Sequence, residues 1–167
     1  MEEALFVKEE RGVVYIKARG HMTAALCPEL KSRVLARLEA SPPLERIYLD
    51  LRDCEYMDST FMGLIVGFNK RLQRAAAHSI TLLHVNETCM GLLRTIGIVR
   101  LVELSDAEVP FPAPMENLAG ADRASAGFIL DAHENLMELS DDNRKRFSTL
   151  YQVLKSQLDR GSGDGKE

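Results

Sequence analysis

Ser59 is the residue whose type and setting carry the most chemistry in this chain. It stands in Tyr56-Met57-Asp58-Ser59-Thr60-Phe61-Met62-Gly63, which follows the strand-like run Arg46 to Leu51 through Arg52-Asp53-Cys54-Glu55, and at the start of a helical run, Ser59 to Ala76, that carries Leu64, Ile65, Phe68 and Leu72. A helix begins with N–H groups that have no partner within the helix, and Asp58 or Ser59 can cap them. A hydroxyl at such a junction is expected at the sheet's edge, within reach of another protein's active site. A phosphate placed there adds about −1.5 to −2 charges. The helix N-terminus tolerates the anion, while Asp58 repels it and the surface potential changes sharply. The expected chemistry is a charge switch that leaves the fold intact. Read alone, Asp-Ser-Thr before a helix is an ordinary cap.

The other chemistry-bearing residues form weaker patterns. His21, His78, His84 and His133 are scattered, and none has metal-ligand spacing with Cys, Asp or Glu, so no metal is expected. Glycine-rich phosphate loops of the G-x-x-x-x-G-K-[ST] and G-x-G-x-x-G kinds are absent, as is a G-x-S-x-G elbow, so no cofactor and no enzyme are expected. A triad of Ser59, His84 and Asp50 is the enzymatic alternative. Cys27, Cys54 and Cys89 form no C-x-x-C pair and read as buried, reduced thiols; Cys54, close to Ser59, becomes redox-active only if exposed with a lowered pKa. Lys70, Arg71 and Arg74 read as a solvated helix face or as a contact for an acidic partner. Met57, Met62 and Met90 read as core fillers, with Met62 near enough to the helix start to face a partner.

The elements that must position Ser59 follow from hydrophobic spacing. Leu5-Phe6-Val7 and Val13 to Ala18 are strand-like around an Arg11-Gly12 turn, and Gly20 to Thr23 reads as a loop. Pro28 to Leu38 has helical spacing with proline in its first turn. Ser79 to Val85 reads as a strand, Asn86 to Ile96 as a helix capped by Asn86 and stopped by Gly97, and Val99 to Leu104 as a last short strand. The order ββαβαβα(β) predicts an α/β fold: a mixed sheet of about four to five strands flanked by helices, over residues 1–104. Residues 105–124, with Pro110, Pro112 and Pro114, predict an extended linker. Residues 125–158 predict an αα-hairpin broken at Leu139-Ser140, and residues 159–167 a flexible tail.

The strand order and the segment Tyr56 to Ile65 together resemble the STAS domain family of anti-sigma-factor antagonists, over about residues 4–104. The resemblance implies that Ser59 is the phosphoacceptor and that Asp58, Thr60 and Gly63 support the switch. Gly20-His21-Met22-Thr23 falls where that family turns into its first helix. With Phe61 and Met62, it is implied to form the partner-facing surface. Phe61 and Met62 replace a small or aliphatic pair, and Thr23 stands where many members have Asp. The implied partner is a serine-kinase anti-sigma factor that binds the unphosphorylated form and phosphorylates Ser59; a phosphatase resets it. The alternative is a STAS-type accessory subunit of a membrane transport system, in which Ser59 is a structural helix cap.

Composition agrees with a regulatory binding module. The chain has 167 residues, 46% hydrophobic, and a net charge of −4, which argues against direct nucleic-acid binding. The acidic opening Met1-Glu2-Glu3 lacks the features of a secretory signal, and the longest apolar run, Phe61 to Phe68, is too short to span a bilayer. A cytoplasmic protein without direct membrane insertion is expected. The hairpin's apolar stripes, which include Phe147, Leu150, Tyr151 and Leu154, need a partner surface: the domain itself, or a second copy in a homodimer.

Overall fold

The structure is a computed structural model that describes residues 2–120 and 123–164. The chain opens with a hairpin, β1 (Ala4–Glu10) and β2 (Val13–Met22). Arg11 and Gly12 both take positive φ, 54° and 79°, the two-residue turn whose twist matches that of the flanking strands. After a short 3-10 turn come α1 (Cys27–Glu39), β3 (Arg46–Met57), α2 (Ser59–Ala76), β4 (Thr81–Leu83), α3 (Glu87–Ile96) and β5 (Glu103–Ser105). β6 (Glu116–Leu118), α4 (Ala126–Met137) and α5 (Asp141–Asp164) complete it.

One six-stranded sheet has the order β5-β4-β3-β2-β1-β6. β2, β3, β4 and β5 run parallel through helical crossovers, while β1 is antiparallel to both β2 and β6. Alternation sorts the faces. Val14, Ile16 and Ala18 of β2 and Ile47, Leu49 and Leu51 of β3 are buried in the core with Leu30 and Val34 of α1 and Phe61, Ile65, Phe68 and Leu72 of α2. Each of these Val, Leu, Ile and Phe side chains contributes about 1.5–3 kcal/mol on burial. The opposite face carries Tyr15 and Tyr48, stacked at 5.8 Å, with the Phe111 ring edge-on to Tyr15 at 5.0 Å.

The mixed α/β sheet with flanking helices agrees with the expectation, with six strands rather than four to five. The additional strand is β6, within the segment expected to be linker. Its prolines keep the chain extended, and Leu118 then pairs with Leu5 at the edge, 4% exposed. β2 runs through Gly20 to Met22, expected to be loop, because β3 itself continues to Met57 and pairs with it across two register shifts. β4 is shorter than expected and ends where His84 turns to φ 54°. α5 runs on to Asp164, past the point where a flexible tail was expected; once a helix is nucleated, each added residue gains a hydrogen bond. Residues 165–167 of that tail lie outside the described residues.

α4 lies against α2, and α5 returns against α4. Ser125 caps α4 by accepting from the Phe128 N–H at 3.1 Å, and Ser140 caps α5 by accepting from the Asn143 N–H at 3.1 Å. Asn143, 1% exposed, donates to the Ile96 carbonyl at 2.9 Å and the Leu136 carbonyl at 2.8 Å, joining the hairpin to the end of α3. Among the described residues, no helix is long and apolar enough to cross a membrane.

Candidate functional site

β3 delivers its chain into α2 through Asp58, which has extended backbone (φ −84°, ψ 175°). The Asp58 N–H donates to the Met22 carbonyl at 2.9 Å. One carboxylate oxygen accepts from the Phe61 N–H at 2.9 Å, and the other from the Ala24 N–H at 2.9 Å. The side chain therefore caps α2 and at the same time clips it to the turn before α1. Asp58, not Ser59, is the helix cap, and the Ser59 hydroxyl is not consumed by the helix end.

Ser59 is the first residue of α2, half-buried, and its hydroxyl lies 2.8 Å from Nε2 of His133 on α4. Nδ1 of the same ring lies 2.7 Å from the Ile129 carbonyl. A carbonyl only accepts, so Nδ1 carries a proton, and in the neutral ring Nε2 is then the acceptor to which the Ser59 O–H donates. His133 is 1% exposed, with its ring edge-on to Phe147 at 5.1 Å.

One turn further along α2, Gly63 meets the α4 backbone: a β-carbon there would stand 2.1 Å from the Ala132 carbonyl oxygen. Asn135 donates to the Gly63 carbonyl at 3.2 Å and also lies over Gly67. Gly63 and Gly67 form a stripe without side chains into which α4 sinks. Lys31 pairs with Asp131 at 3.6 Å and lies 4.9 Å over the Phe128 ring, and Lys70 pairs with Glu138, so charge rims the contact.

The residues expected around the site fall into two groups. Gly20, Met22, Thr60, Phe61 and Met62 are buried, with Met22 0%, Phe61 1% and Met62 4% exposed. The side chains of Met22, Phe61 and Met62 lie within the hydrophobic core cluster, so they offer no surface to a partner in this arrangement. His21 is exposed, 3.4 Å from Glu55 and 5.8 Å from the Tyr56 ring, and Thr23 is half-buried. Tyr56, 41% exposed, is the large apolar group at this rim. The sequence reading took His133 only as one of four scattered histidines and gave Ala132 and Asn135 no place at the site; the Gly63-x-x-x-Gly67 spacing on α2 was the available signal.

The remaining candidates resolve simply. His84 lies 2.9 Å from Arg52, and Asp50 accepts from the Arg52 N–H at 2.9 Å, so neither is assembled with Ser59. The buried Cys54 sulfur is 3.8 Å from that of Cys89, and this hydrogen bond together with burial pushes the Cys54 thiol up. Burial, then the Asp58 charge, raises Cys27. Arg71 pairs with Glu39 at 3.3 Å. Among the described residues, no three His, Cys, Asp or Glu side chains group as metal ligands.

A parallel β2–β3–β4–β5 sheet with Asp58 capping α2 directly before Ser59 defines a class, and the family comparison agrees with it. The family model described as "Mlab, STAS domain" matches residues 5–103, and the chain belongs to the STAS domain family. No curated protein matches. Solved structures share the fold at low identity. The anti-sigma factor antagonist SpoIIAA in its unphosphorylated form is 17% identical, with a TM-score of 0.53 over 60% of this chain and 87% of that one. A putative anti-sigma factor antagonist from Thermotoga maritima is 24% identical, with a TM-score of 0.53 over 60% and 85%. An anti-sigma factor antagonist from Mycobacterium paratuberculosis is 15% identical, with a TM-score of 0.52 over 64% and 87%. The hairpin of α4 and α5 lies beyond the family match.

Proposed function

We propose that this STAS protein is a phosphorylation-switched anti-sigma-factor antagonist. It binds a serine-kinase anti-sigma partner while Ser59 is bare, and loses that partner when the kinase places a phosphate on Ser59; a phosphatase resets it. The observation that carries this reading is the division of labour at the start of α2: Asp58 supplies the cap, which leaves the Ser59 hydroxyl uncommitted to the helix end. A phosphate there meets a favourable helix dipole and an unfavourable neighbouring carboxylate, so the fold persists and the surface changes. The exposed His21, Glu55 and Tyr56 beside it are the groups a docking partner meets first. Several structural neighbours are named as anti-sigma factor antagonists, and SpoIIAA is known in a phosphorylated form.

The test is to incubate the protein with a candidate anti-sigma kinase and ATP and map the phosphate by mass spectrometry. Ser59→Ala is expected to abolish incorporation; undiminished phosphorylation of that variant would show that the site is elsewhere. In a binding assay, Ser59→Asp weakens the complex by about tenfold or more, or about 1.4 kcal/mol, while Ser59→Ala binds at least as tightly as the parent. Equal binding by the two variants sinks the electrostatic mechanism.

A further inference from the structure

We infer that the α4–α5 hairpin is an intramolecular lid on the Ser59 face: it occupies the groove of Ser59, Gly63 and Gly67, and its closure and a phosphate on Ser59 exclude one another. This deepens the proposed function and rests on reading Ser59 as the switched residue.

The closed state withholds Ser59 in two ways. Its hydroxyl donates to His133 at 2.8 Å, and His133, 1% exposed, lies with α4 across one side of the half-buried Ser59, so an incoming nucleotide meets an engaged hydroxyl and a narrowed approach. Phosphoryl transfer forms a bond from Ser59 Oγ to the γ-phosphorus of ATP, breaks the bond to the departing ADP and releases the hydroxyl proton. The product adds a phosphorus and three oxygens where the closed contact leaves hydrogen-bond distance only. The ring cannot stay where it is, and α4 lifts.

The contact mixes a polar crossing with an apolar one: Leu136 and Phe147 of the hairpin join the domain's core cluster, while the groups around Ser59 are polar or bare backbone. On the α2 side it is bare backbone at Gly63 and Gly67, shaped to receive a helix with a small residue at the crossing, here Ala132. On the α4 side, His133 and Asn135 are polar groups that water satisfies when the helix leaves, and Asp131 and Glu138 meet Lys31 and Lys70 at an exposed rim. The matched STAS domain ends at residue 103, before the hairpin begins. Asn143, bonded to Ile96 and Leu136, holds the hairpin closed in the resting protein. A partner that docks on this face displaces α4, and a helix with a small residue at its crossing point fits the vacated groove.

Hydrogen exchange on the full chain tests the lid without any kinase. Gly63→Ala favours the α2 helix but puts a β-carbon 2.1 Å from the Ala132 oxygen, so α4 cannot seat. Amides of α4 are expected to exchange at least tenfold faster in Gly63→Ala and in Ser59→Glu than in the parent, with β2 and β3 as protected as before. Gly91→Ala, where a β-carbon meets nothing within 4 Å, is the control and leaves α4 unchanged. Parental protection of α4 in Gly63→Ala or in Ser59→Glu overturns the proposal. An equal loss of protection in the sheet overturns it too, since the hairpin is then part of the domain's core. With a candidate kinase and ATP, Gly63→Ala is phosphorylated at least tenfold faster than the parent; equal rates overturn the lid. A lid that opens over a Ser59 that no kinase modifies removes the phosphorylation reading and leaves the groove and its occupant standing.

Discussion

Asp58 has two tasks that a sequence motif shows as one. Its carboxylate caps α2 through Phe61 and holds the Ala24 N–H of the turn before α1. Asp58→Ala removes both charge-assisted bonds and leaves two backbone donors near the core short of a partner. The expected cost is about 2 kcal/mol of folding stability, measured as a lower urea midpoint at unchanged slope. A loss no greater than a few tenths would mean that water replaces the carboxylate at both N–H groups. Asp58 and Ser59 were legible in the sequence because a strand, a cap and a helix lie within a dozen residues. His133 was not, because its contact with Ser59 spans 74 residues, and a single histidine within an apolar stripe looks like any other core position.

At the scale of elements, the helices were the most readable part. Their caps, Asp58, Asn86, Ser125 and Ser140, are side chains that act within one turn of themselves. The strand β4 was read, though longer than it is, while β6, three residues between prolines and a loop, is too short to show alternation and exists because β1 pairs with it. The end of α2 shows where local rules were not followed: Ala77 takes the left-handed conformation, φ 55°, in an exposed position that favours glycine. The left-handed strain on an L-residue is about 1–2 kcal/mol. The entropy glycine adds to the unfolded chain offsets about 0.4–1 kcal/mol of it. Relief of strain outweighs that entropy, so Ala77→Gly is expected to stabilise the protein by about 0.5–1 kcal/mol, seen as a higher melting temperature; a lower one contradicts the argument.

For the whole molecule, the sequence left open whether the hairpin packs on its own domain or on a second copy. The structure seats it on its own α2, with Leu136, Phe147 and Leu154 buried and only Leu150 and Val153 left as large exposed apolar groups on α5 among the described residues. Two side chains fall well short of the area a stable dimer covers, about 1,200 Å² or more. Light scattering is therefore expected to give the mass of a single chain, 18.7 kDa; twice that mass at micromolar concentration would contradict it. The pairing of β6 with β1 has a consequence for how such a chain is regulated. Leu118 is pinned to the sheet seven residues before Ser125, where α4 begins, so the start of α4 stays within about 25 Å of its anchor even when the hairpin is fully released. Reclosure is then a first-order event that dilution cannot slow, against an effective local concentration of order millimolar. Any competitor for the groove must displace a tethered rival, and the strength of that rivalry is set by the short stretch between a three-residue strand and a helix cap.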